Sequence, residues 1–194
     1  QNVRMFQYAS DISGSCQFPY LAQNTTTGKL FYCKAGTWSS NFTITNLVGT
    51  TTNDNAAAGS VGQYVTATVA TGASIALATA SASTITSISL TAGDWDVWGV
   101  VDYTAGATTS VTSLKQGFST AANCVNAPAF GGQDTFTLWE TAANVLTATD
   151  DPAWNTPTGR LSLAATTTVC LVTQGRFTIS TLNGYGSIFA RRVR

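Results

Sequence analysis

Histidine is absent from the 194 residues, and charged side chains make up only 9% of them, against about 25% in an ordinary soluble domain. The first absence excludes Ser-His-Asp and Cys-His catalytic sets and histidine-ligated metal centres. The second leaves nine Lys and Arg against nine Asp and Glu, for a net charge of zero. Such a chain has no long-range field to draw nucleic acid or an anionic membrane, and neither is expected as a partner. No apolar run reaches the roughly 18 residues of a membrane-spanning helix. The opening QNVRMFQYAS has neither the basic nor the apolar region of a signal peptide, so none is expected here. GxGxxG and GxxxxGK[ST] do not occur.

Thr, Ser, Ala and Gly stand where Lys and Glu usually sit. The Ala-rich stretch 56–80 is broken by Gly59, Gly62 and Gly72 and carries many β-branched residues. It reads as strand and turn, since glycine costs a helix about 1 kcal/mol per position. Strand signals recur at Leu30–Cys33, Phe42–Leu47, Gln63–Val69, Ser74–Leu77, Ile85–Leu90, Trp95–Tyr103, Val111–Ser119, Gln133–Trp139, Leu161–Leu163, Thr168–Thr173, Phe177–Thr181 and Tyr185–Val193. Turn sequences such as TGAS, TAGD and NG separate them. This spacing predicts an all-β, jelly-roll-like antiparallel β-sandwich. The texture changes near Gly49, so residues 1–48 are expected to form a small N-terminal β extension and 49–194 the sandwich. Residues 140–159, with two prolines and adjacent aspartates, read as a long surface loop.

The stretch TAGDWDVWGVVDYT, residues 91–104, alternates strictly. Trp95, Val97, Val101 and Tyr103 form a core-facing set. Asp94, Asp96, Trp98, Val100 and Asp102 form the other, which mixes charge with a large aromatic. In the last strand Ser187, Phe189, Arg191 and Val193 alternate with Ile188, Ala190 and Arg192, so the arginine-rich tail is expected to be paired rather than frayed.

Candidate chemistry is sparse. The carboxylate pairs Asp94/Asp96 and Asp150/Asp151 could in principle serve glycoside hydrolysis, but both read as turn or loop features, and no catalytic residue is assigned. TTNDN at 51–55 lacks the spacing of a calcium loop, so no metal or cofactor is expected. Sequons occur at Asn24 and Asn41. Trp139 and Trp154 flank the long loop and are candidate glycan contacts; the alternative is that Trp139 packs in the core and Trp154 pins its loop. Four cysteines allow three pairings. Cys16–Cys33 with Cys124–Cys170 is the simplest, and buried free thiols are the alternative.

Four ordered segments, GTTTNDNAAAGSVGQYV (49–65), TSISLTAGDWDVWG (86–99), GRLSLAATTTVCLVTQGRFTIS (159–180) and YGSIFARRVR (185–194), together resemble a family of phage and prophage virion proteins. Its members are tail-fibre, head-fibre or minor structural proteins. The resemblance spans 49–194 and leaves 1–48 uncovered, although LFYCKAGTW is loosely similar to short segments of fibre and pilus-like proteins. Trp98, Cys124 and Cys170 depart from the family pattern. The resemblance implies a β-sandwich of the trimeric fibre-tip kind, on the virion surface, serving virion structure or host attachment. Trp98 and Val100 would then lie at a subunit seam of a homotrimer. The N-terminal region would bind other virion proteins of the capsid or tail, and a host cell-surface glycan is a further expected partner. The composition also suits a subunit of an extracellular bacterial filament or adhesin. A glycan-degrading enzyme fits it less well.

Overall fold

Alternation along the chain sets the strands, and first-to-last pairing sets the architecture. A computed structural model of the protein describes residues 4–17, 20–40, 54–122, 124, 136–147 and 150–194. The chain divides into two units, Gln1–Asn53 and Asp54–Arg194.

The first unit holds β1 (Arg4–Tyr8), β2 (Tyr20–Asn24), β3 (Leu30–Lys34) and β4 (Thr37–Ser39) in that spatial order. β1 runs parallel to β2, and the other pairs are antiparallel. Among the described residues of this unit, Ala22, Phe31, Cys33 and Asn24 are buried. The Asn24 amide donates to Asp11 at 2.7 Å and accepts from the backbone of Thr26 and Thr27. This sequon asparagine is therefore committed to its own turn. The expected strand at Phe42–Leu47 and the sequon at Asn41 lie outside the described residues.

The second unit holds β5 (Tyr64–Val69), a 3₁₀ turn (Thr71–Ala73), β6 (Ile75–Ala76), β7 (Ala82–Leu90), β8 (Gly93–Ala105), β9 (Thr109–Ser119), β10 (Phe136–Leu146), β11 (Ala153–Asn155), β12 (Gly159–Leu163), β13 (Thr167–Thr178) and β14 (Leu182–Arg192). β5 pairs with β14, β7 with β13, β8 with β11 and β12, and β9 with β10, all antiparallel. That is one long hairpin. It doubles over so that β14 also pairs with β8, and β13 with β9. Two facing sheets result, β11-β8-β14-β5 and β10-β9-β13-β7. This is jelly-roll connectivity, and the expected all-β sandwich is the fold.

The core fills from alternate residues. Trp95, Val97, Val101 and Tyr103 of β8 are wholly buried, with Ile188 and Ala190 of β14 and Val169 and Leu171 of β13. The Tyr103 hydroxyl lies 3.0 Å from the Gln116 amide oxygen and 2.5 Å from Thr173 Oγ1, so a buried polar link joins the two sheets. Burial pushes the phenol above its ordinary range, and the Thr173 contact only partly offsets this. Gly186 (φ +144°) must be glycine, because a Cβ there would collide with the Val100 carbonyl.

Several elements differ from the sequence expectation, which contains neither β1 nor β2. The supposed loop 140–159 is partly strand: β10 continues to Leu146 through a register shift between Glu140 and Asn144, and β11 and β12 follow. β13 is one strand through Gly175, where Thr168–Thr173 and Phe177–Thr181 had read as two. A Cβ on Gly175 would lie 2.9 Å from Leu182 Cδ2, so the residue that looks like a break serves close packing.

Candidate functional site

The outward face of the sheet β11-β8-β14-β5 carries what the core parity leaves over. Cross-strand register arranges it in rows. Tyr64, Arg191, Asp96 and Arg160 align in one; Thr66, Phe189 and Trp98 in the next; Thr68, Ser187, Val100 and Asn155 in a third; and Tyr185, Asp102 and Ala153 in the last. Trp98 stacks on Phe189 with centroids 5.8 Å apart, and Tyr64 closes the cluster at 6.3 Å from Phe189 and 6.1 Å from Trp98. Trp98, Val100 and Phe189 are half-buried, and Tyr64 is 39% exposed. The neighbouring Thr68 and Ser187 hydroxyls bond each other at 2.8 Å. The result is an aromatic cluster with a hydroxyl border, and charged rows at either end. Burial first, and the Asp151 charge second, raise the Asp102 carboxyl above its ordinary value.

At the Asp96 end the chain's last residues are locked in. Arg192 is 5% exposed, and its guanidinium lies 4.4 Å over the Trp95 ring and donates to the Ala92 carbonyl at 2.8 Å and to Thr91 Oγ1. Asp94, 3% exposed, accepts from Arg160 at 3.0 Å and Arg194 at 2.7 Å. Hydrogen bonds from Ser162 and then Arg160 hold its carboxyl below the usual range, against the opposing effect of burial. Asp94 is therefore a structural anchor of the terminal strand, within β8 rather than in a turn. Asp150 binds the Thr147 backbone N–H at 2.7 Å in its own loop. Asn55 of the TTNDN segment bonds both backbone groups of Tyr64, at 2.9 and 2.6 Å.

Trp98 and Val100 are brought together with Tyr64 and Phe189. The sequence put Tyr64 and Phe189 in strands far apart in the chain and gave no sign that they would meet Trp98. Trp139 and Trp154 come from different sheets and stack at 5.5 Å, and Trp154 lies 5.9 Å from Tyr103. Both are half-buried and pack against the core. Cys16 is bonded to Cys33 and Cys124 to Cys170, with Cα separations of 5.7 and 5.8 Å.

The class of protein defined so far is a jelly-roll sandwich with an aromatic outer face. No known family profile matches the chain, and no curated protein does. Among solved structures, that of infectious bursal disease virus Gx strain is similar at 12% identity and TM-score 0.39, over 76% of this chain and 38% of that one. The VP2 subviral particle of infectious bursal disease virus is similar at 13% identity and TM-score 0.39, over 68% and 32%. The chain thus spans about a third of the length of these viral chains.

Proposed function

We propose that the protein is a structural virion subunit of a bacteriophage, a homotrimeric fibre or capsid-decoration protein displayed on the particle surface. The observation that carries the reading is the Tyr64–Trp98–Phe189 cluster on the outer sheet face. Large aromatics set between a charged row and a row bearing hydroxyls suit a subunit seam. A second copy is the occupant, because the scarcity of charge over the whole chain matches a surface shared with like subunits, and closed homo-oligomers are the common solution. The four motif segments of 49–194 that resemble phage virion proteins support the virion setting. In this reading residues 1–48 contact other capsid or tail proteins, and three copies of any host-binding site raise avidity. The function is adhesion or reinforcement without turnover. The engagement of Asp94 with two arginines and of Asp150 with its own loop supports that part.

Light scattering over a range of concentrations tests the seam. The expected mass is three times that of the chain. Trp98→Ser combined with Tyr64→Ser should reduce it to that of one chain while the circular dichroism stays β-rich. A double variant that keeps the trimer, or a native chain that stays monomeric, sinks the seam assignment.

A further inference from the structure

A different surface, in the first unit, has the chemistry of a ligand site. Cross-strand register places Phe6 and Tyr8 of β1 on the same face of the small sheet as Ala22 of β2, Phe31 and Cys33 of β3, and Trp38 of β4. Residues 14–17, which follow β1, fold over this face. They are held by the Cys16–Cys33 disulfide, by the Cys16 N–H to the Gly36 carbonyl at 2.8 Å, and by a bridge between Ser15 and Thr37. Between segment and sheet lies an open depression of about 510 Å³ lined by Phe6, Tyr8, Tyr20, Trp38, Ser15 and Gln17, with the disulfide at its edge. That volume is in the range of small-molecule sites, roughly 300–1,000 Å³.

We propose that this depression binds a neutral glycan. Four aromatic side chains border it, and their ring faces are the surfaces on which the C–H faces of pyranose rings pack. The Ser15 hydroxyl and Gln17 amide, both exposed, supply donors and acceptors for sugar hydroxyls. Among the described lining residues none carries a carboxylate, ammonium or guanidinium, which favours a neutral sugar over a sialylated or phosphorylated one. The disulfide and the backbone bonds fix the walls before binding, which lowers the ordering cost. Tyr20 is itself held by Phe6, edge to face at 5.2 Å. The site is independent of the seam proposed above, and lies on a different unit from Trp139 and Trp154.

The test uses the full chain on a printed array of neutral hexose and N-acetylhexosamine oligosaccharides beside sialylated and phosphorylated ones. Retention of neutral oligosaccharides is expected, with quenching or shift of tryptophan fluorescence when the soluble sugar is titrated. Tyr8→Ala and Gln17→Ala replace exposed residues and so keep the fold; each should weaken binding of the soluble sugar about tenfold. Trp98→Ser with Tyr64→Ser should leave that monovalent affinity unchanged even where the trimer is lost. Retention of no neutral glycan overturns the proposal. So does retention of acidic glycans alone, or affinity that survives both first-unit substitutions.

Discussion

At the scale of single residues, two tryptophans three positions apart in β8 do opposite things. Trp95 is wholly enclosed, donates to the Thr91 carbonyl at 2.9 Å and carries the Arg192 guanidinium on its face. Trp95→Ala should cost about 3–5 kcal/mol, read as a fall in the urea midpoint. Trp98, half-buried on the outer face, should affect mass more than subunit stability. Asp94 sets a pH dependence. Its folded carboxyl titrates below the ordinary 3.8, so its stabilisation is present in full above that value and is lost as pH falls through the lowered folded pKa. Asp94→Asn should therefore lower the melting temperature at pH 7. The gap to the native chain should shrink only in acid below pH 3.8; a constant gap down to full protonation would show that the ion pairs with Arg160 and Arg194 do not act.

Among the elements, β14 matters most, because it pairs with β8 on one side and with β5 and β6 on the other. Its end is anchored by the Val193 N–H to the Asp94 carbonyl at 2.9 Å and by the Gly62 N–H to the Arg192 carbonyl at 2.9 Å. Removal of Arg192–Arg194 should leave Trp95 uncovered and Asp94 without Arg194. Hydrogen exchange should then speed up first at the paired ends of β8 and β14. Strand β5 is an edge, and edges invite pairing with other chains. The Asn55 side chain occupies both backbone groups of Tyr64 there. Asn55→Ala should cost about 1 kcal/mol and raise the tendency to aggregate, seen as light scattering at rising concentration. Unchanged scattering would show that Asn55 is not protecting the edge.

For the whole molecule, the two units rely on different means. A unit of about fifty residues buries too little to be secure without a staple. The Cys16–Cys33 bond closes a separation of 17 residues, worth about 3 kcal/mol in the chain-entropy account. The second unit has an extensive two-sheet core. Reductant also cleaves Cys124–Cys170 in the second unit, but that unit keeps its two-sheet core, so reduction should abolish exchange protection in β2 and β3 while β8 and β14 stay protected. Simultaneous loss in both units would contradict this division.

The sequence by itself determined the all-β class and most strands of the second unit, because side-chain alternation has period 2 and needs no knowledge of a partner; it missed the short strands β1, β2 and β11. It determined which face of β8 is core, and the scarcity of charge that frames the functional reading. It placed Trp98 on the non-core parity of β8, and it grouped Phe189 with Ser187 and Arg191 on one parity of the last strand. It did not show that Tyr64, Trp98 and Phe189 meet, since cross-strand register depends on pairs far apart in the chain: Tyr64 aligns with Arg191 and Trp98 with Phe189. For the same reason it mistook 140–146 for loop, because the polar, small residues of an edge strand look like a turn until a partner such as β9 is there. Only the tertiary structure brought Trp139 to Trp154 and folded residues 14–17 over an aromatic face. The nested pairing of first strand with last is also a property of the folded chain alone, because local sequence carries period and turn chemistry but not the identity of the distant neighbour.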